Sequence, residues 1–240
     1  MQQHDITSKI DIYTDIWKLE HIEEFANKKW VKGFTTNPSL VRRSGAKSYL
    51  NFLKDAVRIS NNLPISLEVI SDDFLEMEKQ AHILNSIGSN VYVKIPITNS
   101  KGESSLDLIK NLLDRQIKLN LTAIMTMEQV KSLVSILKED DDCIISIFAG
   151  RIADTGVDPQ NTIRQSVELI SNLKNSKILW ASPREVLNIF HAVNNKCHII
   201  TATKDILDKI PLLGKDLKQY SKETVEMFYN DALQSNFEIS

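Results

Sequence analysis

The chain has 240 residues, 42% of them hydrophobic, which is enough for a sizeable core and falls in the range of one large α/β domain. Its 29 basic and 31 acidic side chains are spread along the chain and give a formal charge of −2. Since this balance offers no electropositive surface of the kind that nucleic acid or an anionic membrane selects, we expect neither as a partner.

The amino-terminal stretch and the cysteines both indicate a cytoplasmic protein. The segment MQQHDITSK lacks the apolar stretch of a signal peptide, and no apolar run approaches the roughly 20 residues that a membrane-spanning helix needs. Cys143 and Cys197 lie in CIISIF and CHII, with no CxxC pair and no histidine at metal-ligand spacing. We therefore predict two buried, reduced thiols with a structural role.

Short β-type runs alternate with helical patterns along the whole chain. In chain order the eight candidate strands are KIDIYT, KGFTT, LPISLEVI, NVYVKIPI, IKLNLTAI, CIISIFAG, KILWAS and HIITA. Strands that are apolar on both faces and separated by helices favour parallel pairing, and eight such units in about 250 residues predict a single (β/α)8 barrel. An open doubly wound sheet is the alternative. Against it, no GxGxxG follows the first run, and the chain has only 7 glycines.

Two of the helices are predicted in detail. One carries Phe74, Met77, Ala81 and Leu84 on one face and is expected to end at Gly88. Another carries Val130, Leu133, Val134 and Leu137 on one face, and Thr126 with Gln129 predicts a capping box at its start.

We predict one domain over residues 1–240, with residues 212–240 as a C-terminal helical extension. The segment SKETVEMFYNDALQ in this extension has more apolar positions than a free helix would keep. It is expected to pack on the barrel or on a neighbouring subunit.

Seven of the apolar runs acquire a polar residue near their carboxyl end: Asp15, Asn37, Glu68, Lys94, Thr122, Ser146 and Ser182. In a barrel these strand ends surround one mouth, so the side chains would converge there. By strand alternation, Asn120 shares a face with Thr122, and Phe148 shares a face with Ser146, so all four line the pocket if that face points inward. Taken singly, each serine or threonine can be a turn or cap residue, Asn37 can be a turn before Pro38, and the two carboxylates can lie on the surface.

Lys94, in VYVKIPIT, is the most informative of these residues, because lysine is almost never fully buried without a partner or a purpose. One interpretation is a structural ion pair. The other is a nucleophile: with an unperturbed pKa of about 10.4, roughly one lysine in 2,500 is neutral at pH 7, and burial would lower that pKa. A neutral buried amine can attack a ketone and form a Schiff base, as ketose cleavage requires.

Such a reaction also needs groups that move protons and bind phosphate. Asp15 and Glu68 provide two carboxylates for acid and base steps. Arg151 in FAGRIAD and Arg184 in WASPRE follow the sixth and seventh runs, where barrel loops often hold phosphate, although each arginine could instead form a solvated salt bridge.

The motifs GFTTNPSL, VYVKIPIT, LNLT, ISIFAGRIAD and WASPRE, in this order, resemble the transaldolases, especially the short branch that includes fructose 6-phosphate aldolase. The resemblance extends from about Lys9 to Ile210. It implies a (β/α)8 barrel without metal or cofactor that acts on small-molecule sugar phosphates. Short members often assemble into rings, so the resemblance also implies a homo-oligomer, with Val225, Met227, Phe228 and Leu233 available on the C-terminal helix.

The resemblance assigns roles residue by residue. Lys94 matches the Schiff-base lysine, and Asp15 matches the aspartate that moves the hydroxyl proton. Glu68 and Thr122 match the pair that holds the catalytic water. The residues implied in substrate binding are Thr35, Asn37, Asn120, Ser146 and Phe148 around the dihydroxyacetone unit, and Arg151, Ser182 and Arg184 around the phosphate.

Two positions favour transfer over simple cleavage. Aldolases of this branch usually carry glutamine where Glu68 stands and tyrosine where Phe148 stands, and that phenol assists protonation of the enamine. We therefore expect a transaldolase. The alternatives are an aldolase that releases free dihydroxyacetone, a transaldolase for an unusual sugar, and a barrel that binds sugar phosphates without catalysis. The departures from the usual family pattern are Ile16, Ile147 and Pro183, together with the bulky Trp17 and Trp180.

Overall fold

The computed structural model describes residues 6–235 and residue 239. Eight parallel strands pair in sequence order, and β8 pairs with β1 to close a barrel. The strands are β1 Asp11–Asp15, β2 Val31–Thr35, β3 Ile65–Glu68, β4 Val91–Pro96, β5 Leu119–Ile124, β6 Cys143–Ile147, β7 Lys177–Trp180 and β8 Ile199–Thr203. All eight candidate strands and the predicted (β/α)8 barrel are confirmed, and the open doubly wound sheet is excluded.

Helices follow the strands and surround the barrel. Within the described residues they are α1 Leu19–Ala26, α2 Pro38–Arg43, α3 Tyr49–Ile59, α4 Phe74–Asn85, α5 Leu106–Asp114, α6 Met127–Val134, α7 Ala149–Asp154, α8 Gln160–Leu169, α9 Leu187–Asn194, α10 Lys204–Leu207 and α11 Leu217–Ser235, with a 3₁₀ helix at Ile210–Leu212. No helix among these residues is both long and apolar enough to cross a membrane.

The local signals of α4 and α6 are largely confirmed. Thr126 and Gln129 form the expected capping box, in which each side chain accepts from the other residue's backbone N–H. In contrast, α4 ends at Asn85, before Gly88. Ser86 is the C-cap of α4, and its hydroxyl donates to the Ile83 carbonyl in the last turn at 2.7 Å. A Cβ at Gly88 would lie 2.8 Å from the Asn90 side chain and 2.9 Å from that of Val57, so a larger residue there would displace both.

Two groups of buried side chains hold the fold together. The larger group lies between strands and helices, where each fully buried aliphatic or aromatic side chain contributes about 1.5–3 kcal/mol. The smaller group fills the barrel interior and contains Tyr13, Ile144, Leu179, Ala181 and Ile199, with Tyr92 and Phe148 against it. At the carboxyl ends of the strands, above this group, a pocket opens that is lined mainly by polar side chains.

Both cysteines are buried and free, as predicted. Burial raises the pKa of each thiol to about 12, so neither is a thiolate near neutral pH. A structural role for Cys143 and Cys197 is consistent with this.

Helix α11 buries none of its residues. Val225, Phe228 and Leu233 are 57–63% exposed, so of the two expected packing partners of this helix, its own barrel is excluded. Packing on a neighbouring subunit remains a prediction, as does the single domain over residues 1–240 with its extension at 212–240. That predicted range includes residues 1–5, 236–238 and 240, which lie outside the described residues.

Candidate active site

A cavity of about 460 Å³ opens at the carboxyl ends of the strands. Its lining contains 11 of the 12 residues predicted from the sequence: Asp15, Thr35, Asn37, Glu68, Lys94, Asn120, Thr122, Ser146, Phe148, Arg151 and Ser182. A larger cavity, about 1010 Å³, lies at the opposite end of the barrel beside Asp11 and Lys177. We place the candidate site in the smaller cavity because it alone combines the buried lysine with carboxylates, at the end where barrel enzymes carry their chemistry.

Lys94 lies in the middle of this site beside a carboxylate. Register pairs Glu68 of β3 with Lys94 of β4, and the Lys94 Nζ–Glu68 Oε2 distance is 3.0 Å. The lysine side chain is only 8% exposed, and Nζ also donates to the Thr36 carbonyl at 3.0 Å. The ion pair considered from the sequence is therefore present, but it borders an open cavity, as a nucleophile would need.

Asp15 is held by two threonines from the neighbouring strands. Thr35 on β2 donates to the carboxylate, and the Thr35 and Thr201 hydroxyls are hydrogen-bonded to each other. Burial raises the pKa of Asp15, although hydrogen bonds from both threonines and the charge of Lys94 oppose the rise. A carboxyl group with a raised pKa can both take and return a proton, which suits it to acid–base chemistry.

A second hydrogen-bonded group crosses the floor of the pocket. Ser146 on β6 donates to Asn120 Oδ1 at 2.6 Å, and Asn120 Nδ2 donates to Ser66 Oγ on β3 at 2.9 Å. All three side chains are buried, so this chain of bonds fixes the orientation of the amide. Sequence reasoning missed Ser66 and Thr201, and alternation from Glu68 and along the eighth strand was the signal that could have found them.

The end of β5 is irregular where it meets the pocket. The pairing between β5 and β6 shifts after Leu121, and Ala123 has a φ of 62°, in the left-handed region that non-glycine residues rarely occupy. Thr122 directly precedes this distortion, and its buried hydroxyl has no hydrogen-bond partner among the described residues. A polar atom of this kind beside a cavity is suited to hold a substrate or a water molecule.

Asn37 combines the two roles weighed from the sequence. It is the N-cap of α2, where its side chain accepts from the Leu40 N–H at 3.0 Å, and it also lines the cavity. The same helix brings Arg43 to the cavity lining, a residue that sequence reasoning did not single out. Helical spacing from Asn37 carries no signal for it, because its approach depends on how α2 is tilted.

The start of α7, directly after β6, meets the loop after β7 beside the pocket. A Cβ on Gly150 would lie 1.5 Å from the Ser182 carbonyl oxygen, so only glycine allows this approach. Ser182 itself has a φ of 58°. This contact places Arg151 and Ser182 on the cavity lining.

Arg184 is not among the residues that line the cavity, contrary to the expected placement. Its Nε donates to Asp154 Oδ1 at 2.9 Å, and a second nitrogen pairs with Oδ2. This two-point pair holds the pKa of the Asp154 carboxyl below its usual range and raises the pKa of Arg184.

None of the residues that depart from the family pattern lines the cavity. Ile16, Ile147 and Trp180 are buried in the layer between strands and helices. Trp180 alternates with Leu179 and Ala181, which face the pocket, so its ring points away from it.

Fold and site together define a class: a (β/α)8 barrel with a buried lysine and two carboxylates at the carboxyl ends of its strands. The sequence places the chain in a particular family. Residues 12–239 match the model of the family described as Transaldolase/Fructose-6-phosphate aldolase, and the chain belongs to this family.

Relatives agree with this assignment. The chain is 29% identical over 212 residues to a protein of Bdellovibrio bacteriovorus named "Probable transaldolase", covering 87% of this chain and 94% of that one. It is 26% identical over 220 residues to a Streptococcus pneumoniae protein named "Probable fructose-6-phosphate aldolase", covering 89% and 96%. Among solved structures, KGPDC from Streptococcus mutans matches with a TM-score of 0.56 at 9% identity, covering 84% and 92%, which shows the fold alone.

Proposed function

We propose that this protein is a transaldolase in which Lys94 forms a Schiff base with the ketone of fructose 6-phosphate or sedoheptulose 7-phosphate. A dihydroxyacetone unit stays on the lysine and passes to the aldehyde of a second sugar phosphate, as in the non-oxidative pentose phosphate pathway. The observation that carries the proposal is the buried Lys94 Nζ, 3.0 Å from Glu68 Oε2 and beside an open cavity.

Attack on the ketone requires the neutral amine. Glu68 is close enough to accept the ammonium proton when a ketose fills the pocket, and the amine nitrogen then bonds to the carbonyl carbon. The resulting carbinolamine loses its hydroxyl group as water after Glu68 returns the proton to it. The unpartnered Thr122 hydroxyl is suited to hold that water beside the carboxyl group.

Bond cleavage is assigned to Asp15. The carboxylate accepts the proton of the substrate C4 hydroxyl, the C3–C4 bond breaks, and its electron pair enters the iminium to give an enamine. An aldehyde leaves. In the second half-reaction the same steps run in reverse with the acceptor aldehyde, so Asp15 returns its proton. The raised pKa of this group supports a role in both directions.

The remaining residues of the site hold the substrate. Asn120 and Ser146, fixed by their mutual hydrogen bond, are suited to bind the hydroxyl groups of the dihydroxyacetone unit, with Thr35 and Asn37 at the adjacent strand ends. Arg151 and Ser182 are suited to receive the phosphate group. Every proton in this scheme is carried by a side chain of the protein or by water, so the proposed reaction uses no cofactor.

Borohydride trapping tests the mechanism. Reduction in the presence of fructose 6-phosphate should attach the three- or six-carbon unit to one lysine, and peptide mapping should place the label on Lys94. Labelling of another lysine, or no labelling, would exclude the mechanism. Binding of the sugar phosphate without labelling would support the alternative of a non-catalytic binding barrel.

A fructose 6-phosphate aldolase that releases free dihydroxyacetone is the second candidate. Phe148 lines the cavity and carries no hydroxyl group that could help protonate the enamine, which favours transfer. Product formation from fructose 6-phosphate should therefore depend on added erythrose 4-phosphate, and Phe148→Tyr should raise the acceptor-independent part. Equal rates with and without the acceptor would favour the aldolase.

Self-association and a cytoplasmic location belong to the same proposal. The exposed apolar residues of α11, among them Met227 and Phe228, are suited to contact a second copy of the chain. Sedimentation velocity of the full chain tests this, with a monomer at micromolar concentration as the contrary result.

A further inference from the structure

Of the three arginines near the pocket, one is held in an ion pair with a carboxylate and two are not. Arg184 is neutralised by Asp154 through two hydrogen bonds and does not line the cavity. Arg43 and Arg151 line the cavity, and within the described part of the chain neither forms an ion pair. A phosphate dianion would therefore meet two arginines that are not held in an ion pair, although Asp154 interacts with the charge of Arg151 from a longer distance.

Arg43 contacts the aromatic ring of Trp17 in place of an acid, and Lys18 Nζ also lies over this ring at 4.6 Å. Its guanidinium carbon lies 5.2 Å from the centre of the Trp17 ring, and Trp17 is in turn held edge-on by His21 at 5.2 Å. A cation–π contact restricts where the guanidinium points but leaves its positive charge and its N–H donors available. Trp17, one of the departures from the family pattern, thereby gains a physical role beside the pocket.

Arg43 also has a rigid support. It is the last residue of α2, whose first turn is capped by Asn37 of the same cavity, and α2 is joined to β2 through Thr36. The helix thus connects the predicted hydroxyl-binding asparagine to an arginine at the rim. A substrate that contacts Asn37 near its reacting end would extend towards Arg43 with its charged end.

We propose that Arg43, positioned by Trp17, is a phosphate-binding residue of this pocket and acts with Arg151, whereas Arg184 acts through Asp154 as a structural residue. This inference rests on the proposed function for its substrate, a ketose or aldose phosphate. It makes Arg43 a determinant of selectivity for phosphorylated over unphosphorylated sugars.

The test compares Arg43→Gln with Arg42→Gln, a matched control on the neighbouring residue, which is exposed and does not line the cavity. Arg43→Gln should raise the KM for fructose 6-phosphate by about 10- to 100-fold, the usual effect of losing a charge-assisted hydrogen bond in a binding site. The preference for fructose 6-phosphate over fructose should fall by a similar factor, and Arg42→Gln should retain it. Trp17→Leu should lie between the two.

Inorganic phosphate provides a readout that does not depend on turnover. It should raise the melting temperature of the wild type and of Arg42→Gln, and raise that of Arg43→Gln less at the same concentration. Equal phosphate responses and equal KM values in the two arginine variants would overturn the inference, as would a loss of selectivity in Arg184→Gln alone. If Lys94 is not labelled by borohydride while phosphate binding still depends on Arg43, the proposed reaction fails and this binding role stands.

Discussion

The two ends of the barrel interior are built from the same strands but differ in chemistry. Towards the amino end, the inward side chains are aromatic or aliphatic, and two residues later the same strands present polar groups. The pairs are Tyr13 and Asp15 on β1, Tyr92 and Lys94 on β4, Ile144 and Ser146 on β6, and Ile199 and Thr201 on β8. A step of two residues leads from core to pocket, because alternation brings every second side chain to the same face.

This difference shows how a small barrel divides stability from chemistry. The apolar layer fills the barrel and fixes the strand positions, and the polar layer above it holds buried polar and charged groups that cost stability and provide reactivity. Substitutions in the apolar layer should therefore lower stability, whereas substitutions in the polar layer should lower activity.

The largest effect is expected for Lys94→Met, which removes the amine but keeps a side chain of similar length. Without the nucleophile the transfer rate should fall by about 10⁴-fold or more, since the proposed covalent step has no substitute. Steady-state kinetics with fructose 6-phosphate and erythrose 4-phosphate measures this. Lys118→Met is the control: that lysine is half-buried outside the pocket, contacts the Tyr92 ring, and should leave the rate unchanged. A variant at position 94 that retains a tenth of the activity would contradict the mechanism.

Asp15→Asn should separate activity from stability. Loss of the acid–base group should lower kcat by about 10²- to 10⁴-fold. Burial raises the pKa of Asp15, so this carboxyl group ionises at a higher pH in the folded state than in the unfolded state. The wild-type protein therefore loses stability as the pH rises from the ordinary aspartate pKa through the raised pKa. Relative to the wild type, the variant should therefore gain stability as the pH increases.

Urea denaturation at a series of pH values measures that gain in the free energy of unfolding. It should be small below the ordinary aspartate pKa, about 3.9, and reach its full size above the raised value. Asp11→Asn, at the other end of the same strand, should leave kcat unchanged. A gain that shrinks towards neutral pH would contradict the assignment of the raised pKa.

Gly33→Ala should affect the apolar layer alone. A Cβ at this position would lie 2.5 Å from the Tyr13 ring and 2.8 Å from the Pro64 carbonyl oxygen. We expect a loss of about 1–3 kcal/mol in the free energy of unfolding, measured by urea denaturation. Adding Tyr13→Leu should recover part of this loss, because leucine does not fill the space that the new Cβ needs. If the two changes in the free energy of unfolding simply add, the Tyr13 ring is not the obstacle.

The smallest effects come from a matched pair on β6. Ile144→Val should lower stability by about 0.5–1.5 kcal/mol and leave the KM for fructose 6-phosphate unchanged, since the lost methyl group lies in the apolar layer. Ser146→Ala should raise that KM by about 10-fold, because Asn120 loses the donor that orients its amide. Equal KM values in both variants would contradict the assignment of substrate binding to the polar layer alone.

Much of this molecule follows from local patterns in the chain. The eight apolar runs, the capping box at Thr126 and Gln129, and the polar residues two positions apart on the strands are consequences of alternation and hydrogen-bonding geometry. These patterns led to the barrel and, together with the family resemblance that added Thr35, to 12 candidate residues, of which 11 line the pocket.

Only the tertiary structure decided which partners the charged side chains have. The sequence left Lys94 open between an ion pair and a reactive amine, and the register of β3 and β4 placed Glu68 beside it with the cavity adjoining. It grouped Arg184 with the pocket and did not single out Arg43, because the pairing with Asp154 and the tilt of α2 depend on contacts between distant segments. Periodicity determines the face of a strand or helix on which a side chain lies. The ion pair that a long, flexible arginine forms depends on which loops the tertiary structure brings within its reach.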